Sequence, residues 1–122
     1  MELIIKNTVL KDIVKKASAV MKGKQSNPIL TGLLFETGGG KLQITASNGN
    51  ETIGQLVDSV EIVEEGKVVI PFSFLKSAAQ VSGEITMKSD NVNVTIKKGR
   101  TKLASTVMDT EQYPKMPNEK PA

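Results

Sequence analysis

The residues in this chain that are best suited to chemistry are lysines, and many of them stand in one short stretch. Residues 8–24, TVLKDIVKKASAVMKGK, hold five lysines and a single acid, Asp12. Apolar residues in the same stretch recur at helical spacing, which predicts an amphipathic helix with one apolar and one polar face. A solvated helix face usually mixes both signs of charge, whereas this polar face is almost entirely positive. The lysine stripe therefore fits either a solvated face or contact with a polyanion such as nucleic acid.

The composition argues against most other kinds of chemistry. The chain has neither cysteine nor histidine. Without cysteine there is no disulfide framework and no thiolate nucleophile. Without histidine the commonest general base and the commonest metal ligand are missing. Because no pair of carboxylates stands in a convincing catalytic frame either, we expect no enzyme, no metal site and no cofactor.

The length and the hydropathy pattern predict one water-soluble domain. A chain of 122 residues can bury a sizeable hydrophobic core without disulfide bonds or structural metal ions. Its longest apolar runs are only a few residues, too short to cross a bilayer. The amino terminus, MELIIKNTVL, begins with an acid and lacks the basic start and small-residue cleavage site of a signal peptide. We expect a cytoplasmic protein with no membrane contact.

The charges are distributed unevenly along the chain, although the net charge is only +3. Residues 51–66 carry five acids and no base, whereas the segments before and after them are both rich in lysine. An acidic connector between two basic halves indicates a molecule with differently charged sides.

The order of predicted elements indicates an internal repeat. Alternating apolar and polar residues predict strands, and each half of the chain shows a strand, a helix and three further strands. The third strand of the first half is predicted to run through ETIGQLVDSVEIV, residues 51–63. We therefore predict one domain, 1–117, with two βαβββ repeats at about 1–60 and 66–110, and a linker-like tail, 118–122.

Packing of these repeats gives an α+β fold with a defined helical surface. Each helix should lie on the antiparallel sheet of its own repeat, and an approximate two-fold axis would place both helices on one face and the sheets on the outside. Asn7 or Thr8 can cap the first helix and Gly23 can end it. Pro71 stands where the second helix, FSFLKSAAQV, begins.

Quoted in order, several segments resemble a known family. They are MELIIKNTVLKDIVKKASAVMKGK, NPILTGLLFE, LQITASNGNETI, VVIPFSFLKSAAQ and GRTKLASTVMDTEQYPKMP. Together they resemble the amino-terminal domain of the bacterial DNA polymerase III beta subunit, the sliding clamp, over the whole chain. The resemblance implies a DNA-clamp fold. In that family six such domains form a ring, with helices lining the pore and sheets forming the rim.

The resemblance also implies two sets of functional residues. The first set would contact double-stranded DNA weakly and independently of base sequence. It comprises Lys11, Lys15, Lys22, Lys24 and Lys76. A subunit interface with other clamp domains would use the second helix and the last strand, through Phe74, Lys76, Arg100, Lys102, Leu103 and Ser105. The family's binding pocket for the replicative polymerase and the clamp loader lies in later domains, which this chain lacks.

The residue types agree with sliding better than with reading a sequence. Lysine ammonium groups are point charges with little geometric demand. Base readout usually relies on arginine, asparagine or glutamine, and Arg100 is the single arginine. Stacking on single strands needs aromatic residues, and the chain has four. The alternative is a stand-alone interaction module of the same fold that pairs through its last strand and does not bind DNA.

Three other segments have simpler interpretations. TGGGK lacks the spacing of a phosphate-binding loop and does not precede a helix, so it predicts a hairpin turn. The run Glu61–Glu65 fits a surface loop better than a cation site. KKGR, residues 97–100, fits a hairpin turn, with a role in subunit or DNA contact as the alternative.

Overall fold

The computed structural model describes residues 1–21, 32–47, 51–90 and 92–108. In this part of the chain two helices and nine strands follow one another. They are β1 (Glu2–Lys6), α1 (Asn7–Ser18), β2 (Gly32–Gly38), β3 (Lys41–Ser47), β4 (Thr52–Val57), β5 (Val60–Glu64), β6 (Lys67–Pro71), α2 (Phe72–Ala78), β7 (Glu84–Ser89), β8 (Asn93–Lys98) and β9 (Thr101–Thr106). The predicted domain end at 117 and the tail 118–122 lie outside the described residues.

The strands form two antiparallel sheets. The first sheet has the order β5-β1-β7-β8-β9, and the second has the order β4-β3-β2-β6. β1 therefore joins the three last strands of the chain, whereas β6 joins β2, β3 and β4 from the first half. The two halves exchange their first strands, so neither sheet consists of the strands of one repeat alone. Alternation along a strand fixes which face is buried, but it does not say which strand lies alongside.

The predicted third strand is in fact two strands in different sheets. β4 pairs with β3 in the second sheet, and β5 pairs with β1 in the first, with Asp58 and Ser59 between them. The half-buried positions explain the break, since β4 turns odd-numbered residues such as Val57 inward whereas β5 turns Val60 and Ile62 inward. A regular strand keeps the phase of its two-residue period, and the change of phase coincides with the break at Asp58 and Ser59.

Both helices pack against one core that also contains the inner residues of both sheets. α1 buries Leu10, Ile13 and Ala17, which recur at helical spacing along one side. α2 buries Phe74, Leu75 and Ala78. Each large side chain removed from water in this way contributes about 1.5–3 kcal/mol. The α+β class, with two neighbouring helices and antiparallel sheets, is thus confirmed.

The ends of α1 differ from the sequence prediction. The helix has no side-chain cap at its start, and its first residue, Asn7, is buried. The Asn7 side-chain amide instead donates a hydrogen bond to the carbonyl of Ala79, just after α2, and its main-chain N–H donates to Gly83 at 2.7 Å. The helix ends at Ser18, and Gly23 lies outside the described residues. Asn7 therefore links the start of α1 to the end of α2 and helps to set how the two helices lie together.

Candidate nucleic-acid interface

The polar face of α1 divides into two sides with different electrostatics. Lys11 and Lys15 are exposed and lie one helical turn apart, and no carboxylate of the described residues forms an ion pair with either. Asp12 and Lys16 lie on the other side, where their charged groups pair at 3.0 Å. The acid in the stripe therefore neutralises a lysine that was not among the predicted contacts and leaves the two predicted lysines free.

Lysines of the two helices meet at one groove. The groove has a volume of about 340 Å³ and lies between α1 and α2. Its lining comprises Lys11, Val14, Lys15, Ser18, Phe72, Lys76, Ala79 and Gln80. The structure thus brings together three of the five predicted DNA-contact residues and places no carboxylate among them. The other two, Lys22 and Lys24, lie outside the described residues.

Two of the groove lysines, Lys15 and Lys76, make local contacts that do not neutralise their ammonium groups. The Lys76 ammonium nitrogen lies 5.6 Å from the centre of the Phe72 ring, at a distance typical of a cation–π contact. Ser18 donates a 2.7 Å hydrogen bond to the main-chain carbonyl of Lys15 in the last turn of α1. Neither contact places an anion next to an ammonium group, so the positive charge stays available to a ligand.

The arrangement of Lys11 and Lys15 is slightly unfavourable for the helix by itself. Like charges four residues apart destabilise a helix by about 0.2–0.5 kcal/mol. A phosphate oxygen between the two ammonium groups would relieve this repulsion and form charge-assisted hydrogen bonds. The groove is therefore suited to bind an anion, and Gln80 is the one residue of its lining whose type commonly reads bases.

Four of the six predicted subunit-interface residues, Arg100, Lys102, Leu103 and Ser105, lie on β9 or directly before it, whereas Phe74 and Lys76 lie on α2. Within the described chain β9 pairs only with β8, which leaves the hydrogen-bonding groups of its other edge available. Arg100 and Lys102 are exposed, and Leu103 and Ser105 are half-buried on the side that faces the core. Phe74 is only 8% exposed and belongs to the core. The separate chain therefore offers little of the Phe74 side chain to a partner.

Two features of this region were missed from the sequence. One is the link from Asn7 to Ala79, which joins residues 72 positions apart, so no local pattern indicates it. The other is the break between β4 and β5, since residues 51–63 were predicted as one strand and Glu61–Glu65 as a surface loop, whereas Val60–Glu64 forms a separate strand. Leu56 and Val57 are both apolar, so the sequence alone does not show which of them is turned inward.

A displaced pKa occurs far from the groove, in the turn between β7 and β8. The main-chain N–H groups of Asn93 and Val92 each donate a 2.7 Å hydrogen bond to Oδ1 of Asp90. These bonds stabilise the carboxylate and hold the pKa of Asp90 below its ordinary value. The arrangement orders a turn and has no part in the lysine groove.

The described residues form neither a metal-binding cluster nor a membrane-spanning helix. No three histidine, cysteine, aspartate or glutamate side chains in the described ranges are grouped so that they could hold a metal ion. Neither described helix is long and apolar enough to cross a membrane.

Comparison with known proteins gives a consistent family. The family model for the DNA polymerase III beta subunit, N-terminal domain, matches residues 1–117. The chain is 25% identical over 119 residues to the beta sliding clamp of Streptomyces coelicolor, a match that covers 96% of this chain and 31% of that protein.

Solved sliding clamps share the fold. The crystal structure of the DNA polymerase sliding clamp from Bacillus subtilis superposes with a TM-score of 0.88 at 19% identity and covers 96% of this chain and 33% of the clamp. For the DNA polymerase III beta subunit from Thermotoga maritima the TM-score is 0.83 at 25% identity, with 94% and 32% covered. The chain spans about a third of the length of these relatives. The family match over residues 1–117 shows that this chain belongs to the family of amino-terminal domains of the DNA polymerase III beta subunit.

Proposed function

We propose that this chain works as a non-catalytic sliding-clamp domain that contacts duplex DNA through lysines on its two inner helices. The observation that carries the proposal is the convergence of Lys11, Lys15 and Lys76 on one groove that contains no carboxylate. Lys22 and Lys24 follow α1 in sequence and belong to the same proposal on the basis of the family resemblance. Other clamp domains would contact the chain at β9, through Arg100, Lys102, Leu103 and Ser105 with Phe74 behind them.

The physical character of the groove agrees with sliding. Exposed ammonium groups form long, weak contacts with phosphates whatever the base sequence, and water can remain between them. Lys11 and Lys15 are separated by about 6 Å along the helix axis, four residues at 1.5 Å each. A few such contacts per domain give weak affinity. A ring of several domains would therefore hold DNA by enclosing it, and the lysines would add only weak contacts that let the ring move along the duplex.

The test is the salt dependence of duplex binding by the whole 122-residue chain. Fluorescence anisotropy with two labelled duplexes of unrelated sequence gives the binding constant at several low salt concentrations. If each of the five proposed lysines neutralises one phosphate, the log–log slope is about −4.5, from about −0.9 per phosphate, and the three groove lysines account for about −2.7 of it. Both duplexes should give the same slope, because contacts between ammonium groups and phosphates do not depend on the base sequence.

Matched variants separate the groove from the general charge of the chain. Replacing Lys11, Lys15 and Lys76 together by glutamine should reduce the magnitude of the slope by about 2.7 and leave the contribution of Lys22 and Lys24. Replacing Lys41, Lys88 and Lys97, three exposed lysines on the outer faces of the sheets, removes the same charge and should leave most of the slope. Equal losses in the two variants would contradict the proposal. Absence of salt-dependent binding in the unmodified chain would favour the interaction module that pairs through β9.

A further inference from the structure

One aromatic ring opens into the groove between the two helices. Among the aromatic side chains of the described residues, Phe35 and Phe74 are 0% and 8% exposed, whereas Phe72 is half-buried. The Phe72 side chain packs against the core and also lines the groove. Because the core contact restrains the ring, the groove has a rigid apolar platform on its α2 side.

Three lysines surround this platform without a carboxylate among them. Lys76 follows Phe72 by one turn of α2, and Lys11 and Lys15 line the groove from α1. No described carboxylate forms an ion pair with any of the three. Proteins that bind single strands of nucleic acid combine a positively charged groove with aromatic side chains on which the bases stack. In a duplex the bases already stack on one another, so their faces are not available to Phe72.

The Lys76 ammonium group lies where a base would stack. Its nitrogen is 5.6 Å from the centre of the Phe72 ring. A cation–π contact at an exposed site contributes less than the stacking of a base on an aromatic side chain. The lysine side chain is flexible and can turn its ammonium group towards a phosphate. A base can therefore replace the ammonium group on the ring with a net gain in binding.

The size and the remaining lining of the groove fit one nucleotide. The volume of about 340 Å³ lies at the lower end of the range for small-ligand sites, about 300–1,000 Å³. Val14 and Ala79 add apolar surface beside the ring. The side-chain amide of Gln80 can donate to and accept from the edge of a base. The groove thus offers an apolar place for a base and cations for the phosphates beside it.

We infer that this groove also accepts one unpaired nucleotide of a single DNA strand. Its base would lie against Phe72, and the phosphates on either side of it would lie near Lys11 and Lys15. The inference rests on the proposed function for the lysines and goes beyond it, because contact with a duplex leaves Phe72 unused. A strand that continues past the end of a duplex would supply such a nucleotide.

Two single strands that differ only in their bases test the inference. Fluorescence anisotropy at low salt compares a labelled thymidine strand of about eight nucleotides with a strand of the same length that carries no bases. The phosphates are the same in both strands, so lysine contacts alone predict equal affinities. We expect the whole chain to bind the thymidine strand about fivefold or more tightly, from the stacking of one base. Equal affinities, or no detectable binding of the thymidine strand, would overturn the inference.

Variants of one residue assign the preference to the ring. Phe72→Leu removes the ring and keeps an apolar side chain, so the affinities for the two strands should become equal. Phe72→Tyr keeps an aromatic ring and should keep the preference for the thymidine strand. A preference that persists in Phe72→Leu would show that the base lies elsewhere and would refute the assignment.

Two controls make the outcome specific. Val92→Ala removes a side chain that is 62% exposed in the turn before β8 and should leave the preference unchanged. Circular dichroism and thermal melting check that every variant is folded, and the comparison of strands on the unmodified chain does not depend on any variant.

The same titrations separate this inference from the proposed function. Salt-dependent binding of a duplex, without a gain from bases on the single strand, would overturn the nucleotide site alone. Absence of salt-dependent binding to the duplex and to both single strands would overturn both proposals.

Discussion

Replacing Asn7 by alanine tests whether one buried side chain holds the two helices together. The Asn7 amide donates to the Ala79 carbonyl across 72 residues, in a buried position. The alanine variant leaves that carbonyl without this donor, which costs about 1–3 kcal/mol of the free energy of unfolding. An unfolding entropy of about 2.1 cal/mol/K per residue over 122 residues makes each kcal/mol worth about 4 °C. We therefore expect the melting temperature to fall by about 4–12 °C.

Thermal and urea unfolding, followed by circular dichroism, measure this effect. Thr8→Ala changes the neighbouring exposed residue and should stay within about 0.5 kcal/mol of the unmodified chain. An Asn7→Ala variant as stable as the Thr8→Ala control would refute the link between the helices.

Asn7→Asp provides a test with a pH signature. Its carboxylate would face a carbonyl oxygen in a buried position, so burial and repulsion raise the pKa of the introduced group in the folded state. A raised folded pKa means that the destabilisation is present at neutral pH and is relieved as pH falls through that value. The difference in melting temperature from the unmodified chain should therefore shrink on acidification, and a constant difference would contradict the geometry.

Three further predictions concern packing and a turn. Gly32→Ala should lower the free energy of unfolding by about 1–3 kcal/mol, because a Cβ there would lie 2.9 Å from the carbonyl oxygen of Ile70. In the control variant Gly38→Ala the new Cβ meets nothing within 4 Å, so its stability should be nearly unchanged. Equal melting temperatures of the two variants would refute this prediction. Leu75→Ala should cost about 2–5 kcal/mol in urea unfolding, since Leu75 is fully buried, and a loss below about 1 kcal/mol would contradict its place in the core. The pKa of Asp90 is lowered in the folded state, so its carboxylate stabilises the fold at pH values above the pKa of the unfolded chain, near 3.9. This stabilisation is lost as pH falls through the folded-state pKa, so the melting temperature of Asp90→Asn should depend less on pH below about pH 4. Parallel plots of melting temperature against pH for the variant and the unmodified chain would contradict this prediction.

The local elements of this fold could be predicted from sequence because each has a strong local cause. Ile85 and Met87 alternate with polar neighbours and are buried in β7 as such a pattern predicts. Leu10 and Ile13 follow helical spacing and are buried in α1. Val92 shows the limit of this reasoning, since it extends the alternation of Val94 and Ile96 but precedes β8 and is 62% exposed.

The partners of these elements could not be predicted in the same way. Ile5 is buried whether its strand joins β2 or β7, so its pattern carries no information about the exchange of strands between the halves. The candidate site was easier to predict from the sequence, because it required only that Lys11, Lys15 and Lys76 lie on the exposed faces of two helices on the same side of the domain. The separation of β4 from β5 was harder to predict, because it depends on a change of phase between Val57 and Val60 that becomes clear only from burial in the structure.

The exchange of first strands has a consequence for synthesis. β1 is made first, yet it is completed on one side by β5 and on the other by β7, which begins at residue 84. A nascent chain that has released only its first half therefore holds an apolar strand without its principal neighbour. Contacts between residues so distant in sequence slow folding, since a long loop must close before they form. The first sheet should thus form late, after β7 has left the ribosome.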